Sequence, residues 1–282
     1  MIKIRVPATT ANLGVGFDCA GLALSLYNDF TFTKGKSNVE SDNLILKSFN
    51  KLYEYIGKDA PEVAIEVEGD IPQARGLGSS ATCIVGGLIG AREMSGEKIS
   101  DYEILKLATE IEGHPDNVAP AIFGGLIVSI KDKEIIYRKF EPSKDLNFYV
   151  LIPDFELSTK KAREVLPETV TLEQGVSNAA RSALLLYAYE HGDMEVIKTF
   201  MKDEFHEKYR EPLIPNFKTV REFAAKNNFA AFISGAGPSI FCVSKENIKN
   251  DLEEFVKDFQ IKFNVMKLNV AEGYEVIKYK GD

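Results

Sequence analysis

The chain has 282 residues, 45% hydrophobic and 27% charged, an ordinary globular balance whose length suits one large or two modest domains. A formal net charge of -8 offers no basic field to a phosphate backbone or an anionic bilayer, which excludes a general nucleic-acid or membrane-surface binder. Its apolar runs are broken by glycines and charges, so none reads as a membrane span.

The N-terminal stretch Ile2 to Val6 alternates like a strand rather than a signal peptide, and Asp29 to Thr33 reads as a second strand. Leu44 to Ile56 has helical spacing, and Val63 to Val67 alternates again. Cys83 to Ala91 is an apolar run that predicts a buried helix ending near Ser95-Gly96. Ser100-Asp101-Tyr102-Glu103 is a capping box and opens a helix to about Ile111. Gly124-Gly125 precedes a strand, Leu126 to Ile130, which Ile135 to Phe140 can pair. A boundary falls near Glu141-Pro142-Ser143-Lys144-Asp145 and divides the chain into residues 1–143 and 144–282. Beyond it come a strand (Phe148 to Ile152), a short helix capped by Ser158 and closed by Pro167, and a long helix (Leu172 to Tyr189). A helix (Phe217 to Lys226), a strand (Phe229 to Ser234), the turn Gly235-Ala236-Gly237-Pro238 and a strand (Ile240 to Val243) follow. The last elements are a helix (Ile248 to Phe259) and a strand (Phe263 to Asn269). This half reads as α+β, with helices on one face of an antiparallel sheet.

The cysteines Cys19, Cys83 and Cys242 are distant and odd in number, as reduced core thiols of a cytoplasmic protein would be. No Cys-x-x-Cys or His-Glu-x-x-His pattern occurs, which argues against a structural zinc or a zinc protease. The most informative stretch is Arg75-Gly76-Leu77-Gly78-Ser79-Ser80-Ala81-Thr82, directly ahead of the apolar helix. A glycine loop at a helix N-terminus presents free N–H groups and the positive end of the helix dipole, which suits phosphate. On this loop alone, a phosphate cradle and a tight turn before a core helix stand level. A P-loop is excluded, because Phe30 occupies the first glycine position ahead of Gly35-Lys36-Ser37. The dinucleotide fingerprint fits only in relaxed form, and the polar stretch Glu68 to Arg75 separates it from the strand it should follow.

Two further segments combine glycine with hydroxyls or amides: Pro7-Ala8-Thr9-Thr10-Ala11-Asn12-Leu13-Gly14-Val15-Gly16-Phe17-Asp18 and Ser234-Gly235-Ala236-Gly237-Pro238-Ser239. In order and wording the set resembles the GHMP kinases, named for galactokinase, homoserine kinase, mevalonate kinase and phosphomevalonate kinase. The first segment, with Glu112-Gly113-His114-Pro115-Asp116-Asn117-Val118-Ala119-Pro120, resembles the homoserine kinase branch. The resemblance covers nearly the whole chain. It implies a two-domain α+β fold, with an N-terminal ATP-binding domain like ribosomal S5 domain 2 and a ferredoxin-like C-terminal domain. It implies transfer of the ATP γ-phosphoryl group to L-homoserine, giving O-phospho-L-homoserine for threonine synthesis, with Mg²⁺ and in a homodimer.

Residue by residue, the resemblance assigns the loop Pro72-Gln73-Ala74-Arg75-Gly76-Leu77-Gly78-Ser79-Ser80-Ala81-Thr82 to ATP. It assigns Ser80 and Glu112 to Mg²⁺, a hard cation that takes oxygen ligands, with Glu110 as a second candidate. Asn12 and Asp18 match the positions for the amino acid's polar head and hydroxyl; whether Asp18 meets the ammonium or the hydroxyl stays open. Arg163 and Arg210 match carboxylate-binding arginines, a task that suits a planar guanidinium. His114, Thr159 and Gly235 complete the substrate side, and Asn12, Asp18, Glu112 and Arg163 form the catalytic set. Apart from the resemblance, Arg163 and Arg210 read as surface arginines, His114 as structural, Glu112 as a solvated helix end and Thr159 as a second cap beside Ser158.

Some relatives place an aspartate base a few residues after the His-Pro turn. Here that region is Val118-Ala119-Pro120-Ala121, and Asp116 reads as the N-cap of the following helix. The expectation is therefore catalysis by positioning and charge neutralisation, without a dedicated carboxylate base. His191 and His206 are expected to face solvent. A sister kinase for another small alcohol and a non-catalytic ATP-binding regulator are the competing readings. Paired arginines argue against an uncharged sugar as substrate, and the intact set Ser80, Glu112 and Asp18 argues against a decayed site.

Overall fold

The computed structural model describes residues 1–278; the last four residues of the expected second half, 279–282, lie outside the described residues. In chain order the first half comprises β1 (Ile2–Asn12), β2 (Gly16–Lys34), α1 (Leu44–Tyr55), β3 (Val63–Gly69), α2 (Ser79–Ser95), α3 (Asp101–Glu112), α4 (Val118–Phe123), β4 (Leu126–Lys131) and β5 (Ile135–Phe140). The second comprises β6 (Asn147–Pro153), α5 (Thr159–Glu164), α6 (Leu172–His191), α7 (Met194–Thr199), α8 (Glu207–Arg210), α9 (Phe217–Lys226), β7 (Ala230–Ile233), β8 (Ile240–Ser244), α10 (Lys249–Val256), β9 (Phe263–Leu268) and β10 (Glu275–Lys278).

The first sheet has six strands, in the order β10-β1-β2-β4-β5, with β3 also on β2. The length of β2 makes this possible. Its residues Ala20 to Leu22 pair with β4, and Asn28 to Lys34 pair with β3. Both β1 and β2 extend well beyond the strands read from alternation. Ala8 to Asn12 and Ala20 to Leu24 are buried on both faces, so they carry no polar–apolar period. Strand β10, unread in the sequence, brings the chain back to the free edge of β1, with Ile4 opposite Val276. Helices α2 and α3 pack with α1 and α4 around one core that includes Phe30, Phe32, Phe49, Leu88 and Leu105. The expected capping box is present: Glu103 N–H donates to Ser100 Oγ, and Ser100 N–H donates to Glu103 Oε2 at 2.8 Å.

The second sheet runs β7-β8-β6-β9, antiparallel throughout. Helices were expected on one face only, and the structure covers both. Tyr149, Leu151, Ala231, Ile233 and Cys242 face α9 and α10. Phe148, Val150, Phe232, Phe241 and Val243 face α6, α7 and the apolar residues Leu22 and Leu24 of β2. The strands Phe148 to Ile152 and Ile240 to Val243 are continuous apolar runs, the pattern of strands buried on two sides. No helix among the described residues is long and apolar enough to cross a membrane.

Candidate active site

The loop from Pro72 to Gly78 crosses the junction of the two sheets. Gly78 stands at the N-cap of α2 with φ +68°, and no side chain caps the first turn, so its N–H groups face outward. A Cβ on Gly78 would lie 2.0 Å from Thr9 Oγ1, and one on Gly76 (φ +74°) 2.3 Å from the Ser234 carbonyl. These two positions accept only glycine. The loop is bonded on both sides: Thr9 N–H donates to Leu77 O, Ser239 N–H to Arg75 O, and Ser234 Oγ to Gly76 O at 2.6 Å. Gly235 N–H reaches Ala11 O, so the three glycine segments meet.

Ser80, in the first turn of α2, donates to Glu112 Oε2 at 2.9 Å from across the site. Glu112 is the last residue of α3; burial pushes its carboxyl up, against the Ser80 hydrogen bond. Both residues present oxygen to the same cavity, the donor chemistry of a hard divalent cation. Glu110 is turned away and exposed, 3.8 Å from Lys51. Asp18, His114 and Asp116 also bring ligand atoms within 4.8 Å of one another. These groups are bonded internally: Arg163 takes both oxygens of Asp18, at 2.9 and 3.0 Å, and His114 Nδ1 bonds Asp116 Oδ1.

The part of the cavity expected to take the substrate is built on unusual backbone. Asn12, Leu13 and Asp18 have φ of 75°, 46° and 56°, conformations concentrated at functional sites when they are not glycine. Asn12 Nδ2 donates to Gly235 O at 2.7 Å, and Asp18 N–H donates back to Asn12 Oδ1 at 3.1 Å. Asn178 of α6, fully buried, donates to Val15 O and accepts from Glu204 N–H, holding this turn against the second half.

Two expectations are corrected here. Asp116 is not the N-cap of α4: Asn117 occupies that position without a side-chain cap, and Asp116, 2% exposed, turns inward to His114. Burial disfavours the His114 imidazolium, but the hydrogen bond to Asp116, with Asp18 and Glu112 nearby, outweighs it and holds His114 above its ordinary value. His206 does not face solvent; it is fully buried, with Nε2 3.0 Å from Gly14 O. His191 is exposed and stacks on Tyr187. Arg210, a surface residue on a reading of the sequence without the resemblance, is 2% exposed. Its Nε donates to Ala162 O and its Nη1 to Gly235 O, each at 3.0 Å. Burial, with Arg163 alongside, pushes its pKa down to about 10, so it stays charged at neutral pH.

One cavity is lined by Asn12, Asp18, Glu112, His114, Thr159, Arg163, Arg210 and Gly235 together with Ala74, Arg75, Gly76, Gly78, Ser79 and Ser80. Ser158 alone caps α5, which leaves Thr159 to the cavity. Of the other loop residues named above, Leu77, Ala81 and Thr82 are buried in the core, while Pro72 and Gln73 line neighbouring grooves. The groove with Gln73 shares Ala74, Ser79 and Ser80 with the main cavity and continues to Asn28, Asn43, Leu44, Ile45, Val67 and Cys83. Neither this groove nor the His114–Asp116 pair was read from the sequence. The spacing of His114 and Asp116 was a signal that the helix-cap reading set aside.

The GHMP kinases N terminal domain model matches residues 43–125, and the GHMP kinases C terminal model matches residues 181–261. Fold and site thus define a small-molecule kinase of the GHMP class. Homoserine kinases from Clostridium botulinum (strain 657 / Type Ba4) and Clostridium beijerinckii are each 41% identical to the chain, with 96% of both sequences covered. The chain belongs to the homoserine kinase family. Among solved structures, a homoserine kinase from Cytophaga hutchinsonii has TM-score 0.87 at 28% identity, with 98% of this chain and 97% of that one covered. The mevalonate kinase of Methanococcus jannaschii shares the fold at TM-score 0.71 and 15% identity, over 96% and 98% of the two chains.

Proposed function

We propose that the chain phosphorylates the hydroxyl of L-homoserine with ATP, giving ADP and O-phospho-L-homoserine. The observation that carries this reading is the joining of two chemistries in one cavity: a bare helix N-terminus beside Ser80 and Glu112, and an acid–arginine pair beside a second arginine. The N-terminus of α2 takes the phosphates. The groove through Asn28, Asn43 and Val67 takes the nucleoside. Ser80 and Glu112 hold magnesium, which neutralises phosphate charge when bound.

Homoserine is a zwitterion with a hydroxyl. Asp18 and Arg163 form an ion pair at the surface, a type of contact worth only about 0–1 kcal/mol net. The zwitterion replaces it at little cost: the ammonium takes Asp18, and the carboxylate takes Arg163 and Arg210. Asn12, held by Gly235, and His114, held by Asp116, orient the hydroxyl beside the phosphates. Catalysis rests on this positioning and on charge neutralisation, with no dedicated carboxylate base. Division at residue 143, a homodimer and a cytoplasmic setting complete the reading, the setting supported by three free thiols.

The test is ADP release with Mg-ATP and a panel of acceptors: L-homoserine, mevalonate, galactose, shikimate and none. Turnover with L-homoserine alone is expected. Turnover with another acceptor would retire the assignment of the arginines, and silence across the panel with ATP still bound would point to a regulator.

A further inference from the structure

Around the substrate side lies a buried cluster that the reaction outlined above does not use: Asp203, His206 and Glu207, at 6%, 0% and 0% exposure, beside Arg210. His206 is its centre. Its Nε2 faces the Gly14 carbonyl, which can only accept, so Nε2 carries the proton. Its Nδ1 lies 3.3 Å from Arg210 Nη1, which can only donate, so Nδ1 is bare. Two neighbours thus select one neutral tautomer. Asp203 fixes the backbone beneath it, with Oδ2 accepting from the N–H groups of His206 (2.6 Å) and Glu207 (2.8 Å).

The same contacts constrain Arg210. Nε is spent on Ala162 and Nη1 on Gly235 and His206, while Nη2 has no hydrogen-bond partner among the described residues. Only Nη2 of the guanidinium is therefore left unbonded among these residues, and the residue lines the cavity. Phe17, next to Asp18, stacks on His206 at 5.0 Å and lies against the guanidinium groups of Arg210 and Arg163, at 5.3 and 5.7 Å. One imidazole touches both the turn that presents Asp18 and Arg210.

We propose that His206 is a positioning residue for homoserine binding: as the neutral Nε2–H tautomer, it accepts from Arg210 Nη1 through Nδ1 and thereby sets the direction of the free Nη2 group. The proposal rests on the reading of Arg210 as a ligand of the substrate carboxylate.

Two substitutions separate its two hydrogen bonds. His206→Asn places an oxygen where Nδ1 was, keeping the acceptor for Arg210 and giving up the donor to Gly14. His206→Gln places an amide N–H near Nε2, keeping the Gly14 bond and losing the acceptor. The expected result is a homoserine KM raised roughly 10-fold or more in His206→Gln and less than about 3-fold in His206→Asn, the difference being one charged hydrogen bond. The ATP KM is expected to stay at the wild-type value in both. An equal rise in the two variants, or a parallel rise in ATP KM, would overturn the proposal as mere structural damage. Arg210→Ala separates the underlying reading: an unchanged homoserine KM there retires Arg210 as a ligand. A raised KM there with an unaffected His206→Gln retires only the role of His206. Should the variants not fold, ¹⁵N NMR of the wild-type imidazoles decides, since the chain has only three histidines. A neutral Nε2–H ring for the buried histidine is expected at neutral pH, and an Nδ1–H ring or an imidazolium would overturn the proposal.

Discussion

At the scale of single residues, charges in the site differ by what holds them. Arg163 is hydrogen-bonded through its guanidinium to Asp18 and its side chain is 43% exposed, whereas Arg210 is buried and pinned by carbonyls. If both arginines hold the substrate carboxylate as proposed, Arg163→Ala and Arg210→Ala should each raise the homoserine KM by roughly 10- to 100-fold with little change in ATP KM, each losing a charge-assisted contact. Steady-state kinetics with each substrate varied checks this, and a larger effect on ATP would refute it. The buried acid and base nearby set a pH window for stability. Burial, with Arg210 adding to it and Asp203 opposing, pushes His206 down to about 4 from an ordinary 6.5. The unfolded chain takes this proton first, so the stability His206 contributes is full above 6.5 and is lost as pH falls toward 4. Burial pushes the Glu207 carboxyl up to about 8 from 4.5, against Arg221 and with Asp203. There the unfolded chain ionises first, so stability is full below 4.5 and is lost as pH rises toward 8. Melting temperature against pH should fall on both flanks, and Glu207→Gln should flatten the alkaline one, by roughly 2–4 °C for each kcal/mol removed. An alkaline slope unchanged in that variant would refute the assignment.

At the scale of elements, what could be read in the sequence was local. The capping box of α3, the apolar run of α2 and the Ser158 cap of α5 are set by neighbours within one turn, and the structure has each of them. Helix α8 has four residues and no side-chain cap bond at its N-cap; the Asp203 carboxylate and burial between Gly14 and Gly235 order it. No period can signal such an element. The candidate site was legible as a set of segments, and the resemblance carried its residue roles. The sequence alone left Arg210 misread because the carbonyls that hold it, at Ala162 and Gly235, are 48 and 25 positions away, and Asp116 misread because a helix cap competes with its neighbour His114 for the same carboxylate. The same contrast predicts two mutants. Gly78→Ala forces a Cβ into Thr9 Oγ1, whose hydroxyl donates to Asn117, and demands φ +68° of an L residue. Calorimetric titration should show ATP affinity lost by roughly 10-fold or more, the phosphate N–H groups having shifted. Ser100→Ala removes a cap at the opposite end of α3 from Glu112, about 18 Å away at 1.5 Å per residue. It should cost about 1 kcal/mol of stability and leave ATP affinity unchanged. Equal ATP affinity in the two variants would dismiss α2 as the phosphate site.

At the scale of the whole molecule, the cavity lies where the two sheets share a core. The middle hydrophobic cluster joins Leu22 and Leu24 of β2 to Phe148, Phe232 and Phe241 of the second sheet and to Leu185 and Tyr189 of α6. Separate cores flank it on the outer side of each sheet. Strand β10 returns the chain to the first sheet and adds a covalent reason for the halves to move together. A chain divided at residue 143 into independent units would melt in two steps, but neither half can bury its inner face alone. Calorimetry should therefore show one transition, with van 't Hoff and calorimetric enthalpies in agreement. Phe232→Ala tests the coupling directly. The ring is fully buried, and its Cδ1 would lie 2.9 Å from a Cβ on Gly14, so it supports the substrate turn from beneath. Its loss should cost about 3–5 kcal/mol, lower the single transition as a whole, and raise the homoserine KM through Gly14. If that variant instead split the melt into two steps and left the first at its original temperature, the shared core would not be what unites the fold.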